Sequence, residues 1–480
     1  MDQPNIVLIV LDAVRSDHLS CYGHDRETTP SIDGLAAEGA RYLNAFSNSN
    51  WTGAAHPPIF TGLLPSESGI YGDDLSFPAD TELLTERLHD AGYRTFGTSA
   101  GAHIRRGRGY DRGFDSFRET HRIQPNVETL RKLVDEPPYR KQVGYSLTRG
   151  PDDKTLYKFD SLDRFMQEDD GPVFAFFNCK TAHYPYNPPR PYKSMYCPEL
   201  KRPRYEFLER LYGAVGRETQ DVPGVDTEQA RGNALELLPV LDEVSEDVWE
   251  TMRAWYDGAL RYLDYRIGEF VETLRERGEL EETYIIVTAD HGEQFGEKGL
   301  TGHQFSLYEP LLRIPLVIRP PGGASGMEVE DRVSLVDLFN TILDMAGEPT
   351  VERRHSASLL PLGSGPGHEY TYAEIGNKRL EWLEEQFPGF ECPPEHVGPL
   401  QSVRDDEFKL VWDGEDHVEL YRWREDPDEL TEVSAEYPEK RDELLAALED
   451  NTGELRADNG GEDVEDEDLL ETLEHLGYRA

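Results

Sequence analysis

From Asn5 to Leu11 the chain is an almost unbroken apolar run that ends in Asp12. Such a run fits a strand of a parallel sheet covered on both faces, with a carboxylate delivered at its carboxyl end. Val173 to Phe177 repeats the pattern and leads to His183, and Tyr284 to Thr288 leads to Asp290 and His291. In open α/β sheets ligands gather beyond the carboxyl ends of the strands, so these three polar clusters are expected to meet at one site. Between the second and third runs, Tyr256, Leu260, Leu263, Ile267, Phe270 and Leu274 recur at steps of four and three, which predicts an amphipathic helix. A further strand is expected around Leu316 to Ile318, closed by the turn Pro320, Pro321, Gly322, Gly323. Strands alternating with helices predict an α/β fold.

The period then changes. Phe408, Leu410 and Trp412 alternate, a turn containing Gly414 follows, and Val418 and Leu420 alternate again, which predicts an antiparallel hairpin. Leu444, Leu445 and Leu448 mark a later helix. The expected organisation is a main α/β domain over 1–350, a small C-terminal α+β subdomain with antiparallel strands over 351–450, and an acidic tail over 451–480 with a short terminal helix. Glu449 to Asp468 is rich in Asp, Glu and Gly and is expected to be solvated.

Charge narrows the partners. The chain carries 94 Asp and Glu against 49 Lys and Arg, a net charge of -45. A surface of that sign repels nucleic acid and anionic lipid. No lysine precedes Lys132, and acidity with scarce lysine resembles the composition of halophilic archaeal proteins. Lys154 and Lys158 are expected at the surface. The N-terminus has neither a basic leader nor a small-residue cleavage site, and no apolar run approaches the ~20 residues that cross a bilayer, so a cytoplasmic location without a membrane span is expected. Cys21, Cys179, Cys197 and Cys392 are too scattered for a disulfide framework or a zinc ribbon.

The order and spacing of motifs are more specific. The segment Asn5 to Gly23 is followed by Thr29 to Gly39, Thr61-Gly62, Arg112-Gly-Phe-Asp115, His183-Tyr-Pro-Tyr186, Thr288-Ala-Asp-His-Gly-Glu293, Gly302-His303 and Arg313-Ile-Pro-Leu316. Together with Glu407-Phe-Lys-Leu410 and Glu419-Leu-Tyr421, this series resembles the sulfatase family of the alkaline phosphatase superfamily over nearly all of the chain to about residue 450. The resemblance implies an alkaline phosphatase-like α/β/α sandwich with a mostly parallel central sheet. It also implies that Asp12, Asp290 and His291 bind a metal, although Ala13 stands where the family often has a second aspartate.

The nucleophile segment departs from the family. Sulfatases carry Cys or Ser in a Cys/Ser-x-Pro-x-Arg motif that is oxidised to formylglycine, whereas the aligned residues here are Thr52-Gly-Ala-Ala-His56. No formylglycine is expected. A threonine at that place resembles the metal-bound nucleophile of phosphoryl-transferring relatives such as lipoteichoic acid synthases and nucleotide pyrophosphatase/phosphodiesterases. Asp12, Thr52, Asp290 and His291 then make a one-metal set, and a divalent ion would raise the alkoxide fraction of the Thr52 hydroxyl. Oxygen ligands favour calcium or magnesium and the imidazole favours manganese or zinc; calcium and manganese are the first expectation. Thr52 read without the resemblance is a plain helix N-cap, a reading weakened by Pro57 and Pro58, which can displace the helix start.

His183 and His303 match substrate-contacting positions, as proton donors or as cations against a transferring oxyanion. His103 corresponds to the histidine of the family's Lys-x-His pair, whose lysine is here Gly101, and His56 is the candidate to replace the missing arginine as a cation. The chain is expected to hydrolyse small-molecule, glycan or lipid-head-group esters of sulfate or phosphate. The alternatives are a phosphodiesterase or phosphoglycerol-type transferase, and a sulfatase-like binding protein without turnover.

Overall fold

The computed structural model describes residues 3–71, 76–101, 103–120, 136–149, 153–184, 186–197, 246–303, 305–376, 399–453 and 455. Cys392 and most of the expected acidic tail lie outside the described residues.

The apolar run becomes β1 (Asn5–Leu11), with Ile6 to Leu11 fully buried. It is central in an eight-stranded sheet formed with β2 (Ala40–Phe46), β3 (Arg94–Ser99), β4 (Ser116–Glu119), β5 (Val173–Cys179), β6 (Thr283–Ala289), β9 (Arg313–Arg319) and β10 (Met327–Ser334). The order is β10-β2-β9-β6-β1-β5-β3-β4. β1 pairs in parallel with β5 and with β6, so Leu11 lies opposite both Cys179 and Ala289. The ends that carry Asp12, His183 and Asp290 therefore share one edge. β9 alone runs antiparallel, between β2 and β6.

Helices cover both faces. Pro30–Ala37, Thr155–Glu168 and the long Glu246–Arg277 lie on one side, and Thr52–Thr61, Leu84–Asp90 and Asp337–Met345 on the other. The predicted stripe of the long helix is buried from Tyr256 to Leu274, so its period follows from packing on the sheet. The short hairpin β7 (Gln294–Phe295) and β8 (Thr301–Gly302) follows β6 at the site edge.

The C-terminal hairpin is part of a larger antiparallel sheet: β11 (Thr371–Ile375), β12 (Leu400–Arg404), β13 (Lys409–Trp412) and β14 (Val418–Tyr421). The helix Pro438–Asn451 covers it through Leu444 and Leu448. Trp423 packs edge-on against Phe46 of β2, joining this sheet to the main body. Residue 350, near which a division is expected, lies between the helix Asp337–Met345 and β11. Among the described residues no helix is long and apolar enough to cross a membrane.

One expectation fails here. Lys158 is fully buried, and its ammonium donates to Asp153 Oδ2 at 2.7 Å and to the Asn178 carbonyl at 2.7 Å. Lys154 is buried as well, against the Tyr139 ring. A lysine can leave the surface when a carboxylate and a carbonyl both receive it.

Candidate active site

The site is built where β1 and β6 end. After Asp12 the backbone turns through Ala13 at φ +61°, a left-handed conformation uncommon for a residue with a Cβ. That turn aims the Ala13 N–H at Asp290 Oδ1 (3.2 Å), while the Ala13 carbonyl accepts from the Tyr256 hydroxyl at 2.8 Å. The His291 N–H also donates to Asp290 Oδ1 at 2.9 Å, leaving Asp290 Oδ2 buried without a hydrogen-bond partner. Gly292 follows because a Cβ there would stand 1.9 Å from the Pro310 carbonyl oxygen.

Asp12, Asp290 and His291 offer three buried ligand atoms within 4.8 Å of one another. The His291 Nδ1 lies 2.8 Å from the Gly292 carbonyl. A carbonyl only accepts, so Nδ1 carries the proton and Nε2 presents its lone pair to the cluster. Burial pushes Asp290 up to about 7, with Asp12 adding to the rise. Two carboxylates, one of them with an oxygen that has no hydrogen-bond partner, and an imidazole lone pair fit a divalent cation.

Thr52 opens the helix Thr52–Thr61, in which Trp51 is the N-cap residue. The expected displacement by proline does not occur, because Pro57 and Pro58 are accommodated inside the helix. Thr52 is therefore not a plain cap. Its Oγ1 is 3.4 Å from Asp12 Oδ1 and 3.4 Å from His291 Nε2, beside the cluster of Asp12, Asp290 and His291.

His56 is one turn along the same helix, but not as a cation. Burial pushes it down to about 3, and Nδ1 lies 3.0 Å from the Thr52 carbonyl, to which it donates. The expected replacement for the family arginine thus steadies the helix start and carries no charge.

His183 also departs from expectation. Burial, aided by Lys180 and His303, holds its pKa well below the usual imidazole range, and Nδ1 lies 2.7 Å from the Tyr184 carbonyl. By the argument used for His291, its Nε2 is then an acceptor. This geometry suits contact with a substrate hydroxyl; it does not suit charge neutralisation or proton donation.

His303 lies between two of these rings, with centroids 4.4 Å from His291 and 5.0 Å from His183. Its Nδ1 is 2.9 Å from Glu293 Oε1. His103 sits edge-on to Trp51 at 5.2 Å, and Arg108 donates to its Nδ1 at 3.1 Å. The residues whose roles sequence reasoning missed are Glu293, Lys180 and Arg108. Only Glu293 had a signal, as the last residue of the Asp290-His-Gly-Glu run.

A second group, His18, His24 and Asp257, also has ligand-like spacing. Asp257 Oδ2 already receives Arg26 at 2.6 Å and His24 at 3.1 Å, and Oδ1 faces His18 Nδ1 at 2.6 Å. A guanidinium on that oxygen opposes a metal, so this is an ion-pair node pinning the loop after β1 to the long helix. The Arg112-Gly-Phe-Asp115 motif is structural too: Arg112 holds Glu86, and Asp115 accepts from the Thr95 N–H.

The comparisons agree with this architecture. The profile of the family described as Sulfatase matches residues 4–348, and that of the N-sulphoglucosamine sulphohydrolase C-terminal region matches 296–458. The chain is 24% identical over 519 residues to an N-acetylglucosamine-6-O-sulfatase of Bacteroides thetaiotaomicron, covering 96% of this chain and 88% of that protein. It is 25% identical over 465 residues to a choline-sulfatase of Rhizobium meliloti, covering 90% and 82%. A solved phosphonate monoester hydrolase of Agrobacterium radiobacter superposes with a TM-score of 0.71 at 24% identity, covering 93% of this chain and 95% of that one.

Proposed function

The chain belongs to the sulfatase family of ester hydrolases, and on that premise we propose that it is a one-metal hydrolase in which Thr52 is the nucleophile and phosphate esters are preferred to sulfate monoesters. The observation that carries the reading is the Thr52 hydroxyl 3.4 Å from both Asp12 Oδ1 and His291 Nε2. Asp12, Asp290, His291 and Thr52 would hold the ion. When bound, a divalent cation supplies a Lewis acid that lowers the hydroxyl pKa and offsets charge on the transferring group.

Thr52 attacks in line with the departing oxygen. His183 accepts a hydrogen bond from the substrate, and His303 is left as the proton donor. The preference for phosphate follows from counting hydroxyls. A hydrated formylglycine has two, so after one takes the sulfuryl group the other expels sulfate by elimination. Thr52 has one, so a sulfated Thr52 would have to be cleared by direct water attack at sulfur. A phosphorylated Thr52 is open to ordinary in-line displacement. Phosphodiesters are the expected class, with a glycan or lipid head group as the leaving alcohol; a phosphoglycerol-type transferase would use the same steps with an alcohol in place of water.

The test is initial rates on matched 4-nitrophenyl sulfate, phosphate and phosphodiester, with intact-mass detection of an adduct that Thr52→Ala removes. Faster sulfate hydrolysis with Thr52 unoxidised would overturn the preference. A second reading, oxyanion binding without turnover, draws on Ala13, Gly101 and the uncharged His56; it predicts that vanadate or phosphate binds while all three substrates stay intact.

A further inference from the structure

We infer that Glu293 is the positioning residue that makes His303 the proton donor to the leaving group, an inference that rests on the hydrolase reading above. Glu293 is fully buried, and its Oε1 meets His303 Nδ1 at 2.9 Å. The hairpin register brings them together: Gln294 pairs with Gly302, so the residues just outside that pair, 293 and 303, lie side by side. The segment around it is anchored, while the carboxyl's Oε2 is buried without a hydrogen-bond partner. The Tyr186 hydroxyl stands beside it, and the Glu293 carbonyl accepts from Arg15 at 3.2 Å.

A carboxyl group at Nδ1 fixes the rotation of the imidazole and commits Nε2 to the opposite side of the ring. The ring it fixes lies between His291, a proposed metal ligand, and His183, which accepts. In the reaction the Thr52 Oγ–P bond forms as the P–O bond to the leaving group breaks. Thr52 enters as the alkoxide, its hydroxyl proton already released to solvent, and the Glu293–His303 pair enters with one proton shared between Oε1 and Nδ1 and another on Nε2. The bonding pair stays on the departing oxygen, the His303 Nε2 proton moves to it, and the shared proton remains on Nδ1, leaving a neutral imidazole beside a carboxylate. Glu293 touches none of the reacting atoms. It acts through the orientation of His303.

The experiment compares wild type, Glu293→Ala, Glu293→Gln and His303→Gln on two phosphodiesters that differ only in the leaving group, 4-nitrophenol or phenol. A general acid contributes roughly 10²–10⁴-fold and matters most for the poorer leaving group. Glu293→Ala is expected to lose about a hundredfold in kcat on the phenyl ester and under about tenfold on the 4-nitrophenyl ester, with KM little changed. Glu293→Gln, which keeps a hydrogen-bonding partner at Nδ1, restores most of the phenyl-ester rate. Equal losses on both esters, or no rescue by Gln, overturn the inference. If wild type cleaves neither ester, the phosphodiester reading fails on its own. The positioning claim is then decided by ¹⁵N spectra of histidine-labelled protein, in which the His303 signal, identified by its loss in His303→Gln, must shift in Glu293→Ala.

Discussion

Two of the buried clusters of charge among the described residues are balanced differently. Under the four-stranded sheet, Lys409 Nζ meets Glu429 at 2.6 Å and Glu309 at 3.2 Å, while Arg404 reaches Glu309 at 2.6 Å. Two cations face two carboxylates. Burial raises the Glu309 pKa, but Arg404 and Lys409 outweigh it and hold the group at about 2. At the end of β1 and β6, the side chains described around Asp12 and Asp290 are His291 and the uncharged Thr52 and His56. There burial wins, and Asp290 rises to about 7. The first cluster is closed on itself and serves packing; in the second the carboxylates are not matched by permanent cations, and their oxygens and an imidazole nitrogen stand at ligand-like spacing. Charge balance, more than charge burial, separates a structural node from a binding site.

The largest expected effect is chemical and confined to the open cluster. Thr52→Ala should lower kcat on the preferred ester by about 10³-fold or more, with ion stoichiometry measured by elemental analysis falling far less. Next is the closed cluster. Lys409→Met strands Glu429, while Glu309 keeps Arg404, and should cost about 3–5 kcal/mol in denaturant unfolding while leaving the KM of folded enzyme unchanged.

A smaller effect of opposite sign is expected on the ion-free fold from Asp290→Asn. This change should gain about 1–2 kcal/mol by removing a penalised carboxylate, while sharply weakening ion binding in calorimetric titrations. The pH course follows from the same group. Its folded pKa is raised, so the unfolded chain ionises first, and ion-free wild type should lose stability as pH rises from about 4 towards about 7. The Asn variant should flatten that fall; an unchanged slope would show that Asp290 is not its source. The smallest effect per group is at the surface. With a net charge of -45, screening by added KCl should raise Tm, and a flat or falling salt series would count against the halophilic reading.

Much of this arrangement is legible in the sequence. β1, β5 and β6 stood out because strands buried on both faces must be apolar throughout, and Asp12, Asp290 and His291 stood out because polar groups ended those runs. The antiparallel course of β9 was not legible, since a buried strand has the same composition in either direction. β11 and β12, which complete the hairpin into a sheet, were also missed. Thr52 came from the resemblance alone, because its helix holds two prolines that a propensity argument rejects. His56, His183 and Lys158 were misread for one reason. Residue type suggests a charge, but the partner that cancels or accommodates it lies far along the chain or depends on depth, as with Asn178 for Lys158 and the Tyr184 carbonyl for His183.

The central position of β1 has a consequence in time. The strand nearest the N-terminus gains its two neighbours only when residues 173–179 and 283–289 have joined it. Until then both of its edges are bare, on the most apolar segment of the chain, and bare apolar edges invite pairing with other copies. The contact between Ala13 and Asp290 spans 277 residues, so the pocket closes only after a long loop has been drawn in. Refolding from denaturant should therefore restore helical signal well before it restores ion binding, with the yield falling steeply as protein concentration rises during that interval.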